Sequence, residues 1–460
     1  MKTDRHCQPL TGRKKNRFSL ALIVVFSVFS LGLMFTSGDY KVSERVISWD
    51  VISYYNYLPA AFNYQDFHFE KLPMRIGYVT APDGVVVQKM SMGLSFLYLP
   101  FYQLGLLYVR VLGLPYSDYG APFPLLLCLS AIFYFLAGML ILRKVLLRYF
   151  SDLVVSLGLA GIFLGTNLLY YTAYYGPMSH VYNFFLIALL LWLVIRWHEK
   201  GGWGLSIAMG LTAGLIVLVR PSNVTVLLIP LLWNLHSRAA IREKLSLIRR
   251  SVPQLAVMLL CALLVWFPQM LYWKMISGHW LYFSYQGEGF FFSNPRILLG
   301  LFSYRNGWLL YSPIMIFALA GFFFLRKELK VFLIPVVLYF LLSIYVIFSW
   351  WCWWYVGSGL RAMIDLYPLL AVPFCAFLSW LTRQKRWLII PVFTLWWFLL
   401  AFGLLKTFQF RKGIIHFDSM SRKAYYEVLF SYDIPGGYYY QLLRTPDYQA
   451  AMKGEDKILK

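Results

Sequence analysis

Three charged residues stand where apolar sequence gives way to aromatic sequence, and each is of a type that takes part in group transfer. Asp50 lies in Ile47-Ser48-Trp49-Asp50-Val51-Ile52-Ser53-Tyr54-Tyr55. A carboxylate lined by aromatics is able to take a proton from an acceptor hydroxyl; the competing reading is a helix cap, because Asp accepts readily from free backbone N–H groups. Lys89 lies in Gln88-Lys89-Met90-Ser91-Met92-Gly93, at the entry to an apolar stretch. Its ammonium either holds a lipid phosphate or snorkels to the headgroups. Arg361 follows Trp350-Trp351-Cys352-Trp353-Trp354-Tyr355-Val356-Gly357-Ser358-Gly359-Leu360. Its guanidinium suits a phosphate, while Asp365, four residues on, stands at helical spacing for a plain ion pair with it.

Weaker signals surround these three. Tyr54 and Tyr55 follow Asp50 and are candidates for lining a substrate. His180 ends the turn Tyr171-Thr172-Ala173-Tyr174-Tyr175-Gly176-Pro177-Met178-Ser179-His180, where a structural hydrogen bond competes with catalysis. Arg220 sits in the turn Arg220-Pro221-Ser222-Asn223, and Glu288 and Arg305 supply polar groups to a later loop. There is no Asp-x-Asp to hold a nucleotide sugar through a metal, no Gly-x-Gly-x-x-Gly, no P-loop and no His-Glu-x-x-His. The five cysteines, Cys7, Cys128, Cys261, Cys352 and Cys375, are scattered and form neither a metal pattern nor a disulfide framework.

The elements that must position these residues are membrane helices. Of 460 residues 60% are hydrophobic and only 13% charged, against roughly a quarter charged in soluble domains. Apolar runs are long enough to cross a hydrocarbon core about 30 Å thick. They fall at about 18–37, 121–142, 152–170, 179–197, 203–219, 223–236, 252–275, 308–325, 331–349, 361–380 and 387–405. The first follows the basic Arg13-Lys14-Lys15-Asn16-Arg17 and lacks a cleavage site, so it reads as a retained helix. Residues 51–63 carry apolar side chains at i, i+3, i+4 and i+7, which predicts an amphipathic helix in the outer interface.

The net charge of +22 reads as membrane orientation and not as nucleic-acid binding, because Lys and Arg cluster between apolar runs. The stretch 91–113 is ambiguous. Counting it as a crossing would put Arg143, Lys144 and Arg148 opposite the basic N-terminus; treated as a broken, interfacial or re-entrant element, it restores agreement. Sixteen Lys and Arg residues then fall on the cytoplasmic side, in the connectors around 143–148, 196–200, 238–250, 326–330 and 383–386. Only Arg220, Arg296, Arg305 and Arg361 face the opposite loops from residue 171 onward. This predicts an all-α polytopic membrane protein of about eleven crossings. Residues 1–405 form the membrane domain, 38–120 a first outer loop with interfacial helices, and 406–460 a small outer tail.

Together these stretches resemble the GT-C superfamily of integral-membrane glycosyltransferases, particularly its protein O-mannosyltransferase and lipid A aminoarabinose transferase branch. The resemblance rests on the early acid of the first outer loop, here Asp50; on Lys89 ahead of Leu99-Pro100-Phe101-Tyr102; and on Gly359-Leu360-Arg361 through Pro368. Arg305-Asn306-Gly307 through Tyr311-Ser312-Pro313, Met178-Ser179-His180 and Arg220-Pro221 are similar to recurrent elements of bacterial members. The resemblance implies a GT-C-like bundle in which Asp50 is the catalytic base, with Lys89, Arg361 and Arg305 on the lipid phosphate of the donor. Tyr54, Tyr55, His180, Glu288 and Arg220 are left as substrate-binding candidates.

The resulting expectation is inverting transfer of a sugar from a polyprenyl-phosphate donor to a hydroxyl of a lipid, glycan or protein. It needs no metal or other cofactor, and nucleic acid is not a partner. The site would face the periplasmic side of a bacterial cytoplasmic membrane. A transporter or flippase of lipid-linked sugars is the alternative, and a non-catalytic subunit of an envelope-building complex a third reading. Transporters often carry internal repeats and paired broken helices near the midplane, and no repeat is evident in this sequence.

Overall fold

The computed structural model describes residues 17–73, 77–81 and 84–459. Cys7 and the basic residues before Arg17 lie outside them, as does the side chain of Lys327. The chain is an all-α polytopic membrane protein whose described residues contain one short β-hairpin. Among the described residues eight helices are long and apolar enough to cross a bilayer. Seven of them match expected runs: Phe18–Ser37, Phe123–Leu146, Ser179–Lys200, Val252–Ser277, Lys330–Ser349, Arg361–Leu381 and Arg386–Arg411. The other four expected runs are shorter helical segments, Asp152–Leu164, Trp203–Val219, Pro221–Leu232 and Pro313–Arg326.

The first helix shows why these elements need lipid. Ile23, Phe26 and Met34 are buried on one face, whereas Val24, Val25, Val28 and Phe29 are exposed on the other. In a helix every backbone bond closes within the segment, so an apolar outer face is stable in hydrocarbon. Close approach is supplied by small residues. Gly210 and Gly214, one turn apart on Trp203–Val219, lie against Met258 and Ala262 of Val252–Ser277, where an added Cβ would come within 2.3 Å of the Met258 carbonyl oxygen. This small-xxx-small contact lets the two backbones touch.

The eighth long helix, Gly93–Leu112, corrects the expected break. It runs unbroken through Pro100, although an internal proline costs about 3 kcal/mol. Leu94, Leu97, Tyr98 and Tyr102 are buried on a single face, and burial of each such side chain contributes about 1.5–3 kcal/mol. Packing therefore outweighs the lost backbone bond. Its first turn lies on Leu218 and Val219, and Gly105 lies on Phe123 at the start of the helix Phe123–Leu146.

The basic connectors gather at one end of the bundle. There Asp152 accepts from the Phe18 amide at 3.0 Å, Arg143 donates to Ser19 at 2.7 Å and Arg148 pairs with Glu199. The first loop, the loop 278–307, the Trp350–Leu360 stretch and the tail meet at the other end. The last helix continues to Arg411, past the boundary expected at 405, and Arg411 pairs there with Asp39 at 2.8 Å. The tail beyond it is tied down by Arg296, which donates to the Gly454 carbonyl at 3.0 Å, and by the burial of Ile414, Ile415, Tyr425 and Tyr439 around Tyr311.

Candidate active site

Asp50 is carried by the helix Trp49–Tyr55, which continues through Tyr57–Pro59 into a wider turn at Ala60–Tyr64. A helix was expected here, but it is not a one-sided interfacial one: every residue from Val51 to Ala60 is buried. Nor does Asp50 cap it. The cap position is Ser48, without a side-chain bond, and Asp50 lies in the first turn. Trp49 just before it has φ 50° and is 80% exposed. A bulky residue in that region costs about 1–3 kcal/mol, and such strain clusters at functional sites.

The carboxylate reaches Arg361 instead. Arg361 Nη2 donates to Asp50 Oδ2 at 3.2 Å, with the two side chains 18% and 29% exposed. Asp50 Oδ1 has no partner among the described residues, and Arg361 Nε is buried and unpartnered. Arg361 opens the turn Arg361–Leu366, which is a 3-10 helix. With three residues per turn, positions i and i+4 no longer face one another, so the expected Arg361–Asp365 pair does not form.

Asp365 points to other partners. It is 1% exposed and accepts from Arg220 at 3.0 Å and from Asn223 at 2.8 Å, with His180 Nδ1 at 3.4 Å from its other oxygen. The Arg220 guanidinium, its side chain 13% exposed, stands beside this carboxylate and lies 5.8 Å from the Tyr355 ring. His180 Nδ1 also lies 2.9 Å from Arg220 Nη1 and accepts from it, so the imidazole has a structural hydrogen bond within this cluster. Because Arg220 and Asp365 largely neutralise each other, their pair braces the turn that presents Arg361.

The glycine stretch before Arg361 is pinned with little tolerance. Ser358 N donates to the Tyr171 hydroxyl at 3.1 Å, and Asn167 donates to the Ser358 and Gly359 carbonyls at 3.0 and 2.8 Å. Gly357 has φ 134°, and a Cβ there would fall 2.4 Å from the Tyr171 oxygen. Only glycine meets both conditions.

Tyr54 is buried. Burial, then the neighbouring Asp50 charge, push its phenol up to about 12, so it is a hydrogen-bond donor at neutral pH and not a base. Tyr175 is held protonated in the same way, by burial, while the charges of Arg361 and Asp50 beside it oppose each other. Tyr285 is within reach of the charges of Asp50, Arg220 and Glu288, and its ring lies beside the Lys89 ammonium. It thereby joins the Asp50 group to a second one.

That second group contains Lys89. The hairpin Tyr78–Thr80 with Val86–Gln88 ends at this residue, whose amide bonds the Gly77 carbonyl at 3.0 Å. Its ammonium pairs with Glu288 and lies 5.6 Å from the Tyr285 ring. Glu288 also accepts from the Trp351 indole at 2.9 Å. Two residues expected to meet a substrate separately therefore meet each other.

Two expected residues lie elsewhere. Tyr55 turns to the opposite side of its helix, where its hydroxyl donates to the Asp118 carbonyl and its ring packs on Tyr102 and Tyr119 at 5.8 Å. Consecutive helical residues diverge by about 100°, so Tyr54 and Tyr55 do not line one site. Arg305 pairs with Asp456 of the tail at 3.2 Å and lies 5.0 Å from the Trp354 ring. It is committed to holding the tail. Tyr171, Tyr175 and Asp365 were not among the expected site residues; the i, i+4 spacing of the two tyrosines on an outer turn was the available signal.

No family model matches the chain, and no curated protein matches it by sequence. Among solved structures it is similar to the crystal structure of ArnT from Cupriavidus metallidurans bound to undecaprenyl phosphate, with 13% identity and a TM-score of 0.49 over 82% of this chain and 63% of that one. It is also similar to the apo state of the same protein, with 15% identity and a TM-score of 0.43 over 80% of this chain and 60% of that one. The chain thus spans less than two thirds of the length of the ArnT structures.

Proposed function

We propose that the chain is an integral-membrane glycosyltransferase of the GT-C kind, which moves a sugar from a polyprenyl-phosphate donor to a hydroxyl acceptor. The observation that carries this reading is the Asp50–Arg361 pair. One carboxylate oxygen is held by a guanidinium while the other has no partner among the described residues, and the same guanidinium keeps a buried nitrogen without a partner there. A base and a phosphate-binding cation are thus presented side by side.

In this mechanism Asp50 Oδ1 accepts the proton of the acceptor hydroxyl as its oxygen attacks the anomeric carbon. The bond between that carbon and the phosphate oxygen breaks on the opposite face, which inverts the configuration, and polyprenyl phosphate leaves. Arg361 Nε stabilises the charge that grows on the departing phosphate. Lys89 is the second cation, reached when the donor phosphate displaces Glu288. Preorganised donors of this type contribute several kcal/mol in a site poor in water. Polyprenyl phosphate is a good leaving group, so the step needs no metal.

The topology belongs to the same proposal. The basic end lies in the cytoplasm, eleven segments cross, and Gly93–Leu112 lies along the outer interface with Leu104, Leu107, Tyr108 and Val111 exposed to lipid. The site then faces the periplasmic side of a bacterial cytoplasmic membrane. The test is incubation of membranes carrying the protein with a panel of radiolabelled polyprenyl-phosphate sugars and extracted lipid, glycan and protein acceptors. Transfer from at least one donor, absent in membranes without the protein, is expected; release of no label from any donor overturns the reading.

A further inference from the structure

At the basic end, far in the fold from Asp50, a cavity of about 350 Å³ is lined by Arg148, by Glu199, by Trp233 and by one face of the helix Arg238–Arg250. That volume is in the range of small-ligand sites. The helix supplies Glu243, Lys244 and Arg250 to the wall, and its start is fixed by Ser237, which accepts from the Ala240 amide.

The charges in this wall do not cancel. Arg148 gives one nitrogen to Glu199, but its Nε is buried without a partner. Glu199 is also shared with Arg196 at 3.5 Å. Lys244 is 8% exposed, and its ammonium donates to His198 Nε2 and to the Pro230 carbonyl, both at 2.6 Å. Both acceptors are uncharged, so among the described residues this ammonium has no counter-ion. Arg250, exposed at the rim, has no side-chain partner among the described residues. Against these cations stands Glu243, also exposed at the rim. Burying an ammonium without an anion is costly, and burial pushes Lys244 down to about 8. An anion in the cavity would relieve that cost.

The depth of the cavity names the source of the anion. The same helix exposes Ile241 and Leu245, and Val252 follows them, 43%, 51% and 57% exposed. In a membrane protein an apolar stripe on a basic helix sinks into the boundary between headgroups and acyl chains. The helix that walls the cavity therefore sits at the level where lipid phosphates lie.

We infer that this cavity binds the phosphate of an anionic lipid headgroup from the leaflet at the basic end. The phosphate takes Arg148 Nε, the Lys244 ammonium and Arg250, and the headgroup lies against Trp233. The inference does not depend on glycosyl transfer.

The test uses the full chain in detergent, titrated with short-chain phosphatidylglycerol, short-chain phosphatidylcholine and inorganic phosphate. Saturable binding of phosphatidylglycerol is expected, weakened about tenfold, or 1.4 kcal/mol, in Arg250→Gln and in Lys244→Gln. Arg386→Gln, at an exposed basic residue of another connector, should bind as the parent does. Arg250 is exposed and unpartnered, so its variant folds and decides the matter if Lys244→Gln does not. Equal binding by parent and Arg250→Gln, or equal binding of phosphatidylcholine, overturns the site. Inorganic phosphate binding as tightly as the lipid overturns the lipid source.

Discussion

Replacing Asp50 by Asn separates the chemistry of this carboxylate from its part in holding the fold. Asparagine keeps the shape and an amide oxygen that accepts from Arg361 Nη2, but it cannot take a proton. A positioned general base contributes about 10²–10⁴-fold, so the turnover rate should fall by that factor, equivalent to about 2.7–5.4 kcal/mol. The structural cost is much smaller. Asp50 is not the helix cap, and its pair with Arg361 is partly exposed on both sides, where screening limits an ion pair to about 1 kcal/mol. In a chain of this length that moves the melting temperature by about 2 °C or less. The assay is transfer of labelled sugar by purified protein over a range of donor concentrations, with thermal unfolding on the same sample. A folded variant that transfers within about threefold of the parent refutes the base assignment. A loss confined to KM, with kcat intact, refutes it as well and leaves Asp50 as a positioning residue for Arg361.

Lys89→Ala and Arg361→Ala should each weaken binding of polyprenyl phosphate, read by titration with a short-chain analogue; unaltered binding in both removes their role. Asp365→Asn leaves Arg220 without its buried counter-ion and should destabilise the protein by about 3–5 kcal/mol. Thermal unfolding that places it at or above Asp50→Asn contradicts the bracing role assigned to that pair. Tyr116→Cys, in the segment that packs beside Tyr102 and Phe123, should react with an impermeant thiol reagent only from outside the cell. Reaction only from the cytoplasm contradicts the proposed topology.

Much of the helical framework was legible because the bilayer imposes one rule at every position. Each of the eleven apolar runs has a helix in the structure, since backbone groups in hydrocarbon must be satisfied within their own segment. Gly93–Leu112 was misread as broken because proline is a local signal, whereas the burial of Tyr98 and Tyr102 that carries the helix past it is tertiary. The side chains were read less evenly. Asp50, Lys89 and Arg361 stand out as charges at apolar boundaries, where desolvation makes a charge conspicuous in any sequence. Tyr55 and Arg305 carry the same outward signals as true neighbours of Asp50. Only the rotation of one helix and the docking of the tail turn them away.

By itself, then, the amino-acid order determined the class of protein, the position of its apolar segments and which few charges stood at their ends, because hydropathy and charge are properties of single residues summed over short windows. Which charges meet is a different matter. Arg361 stands 311 positions from Asp50, Glu288 stands 199 from Lys89 and Asp365 stands 145 from Arg220. Each pair is selected by the packing of several helices and by a 3-10 turn that withdraws Asp365 from its near neighbour, and no local pattern encodes that choice.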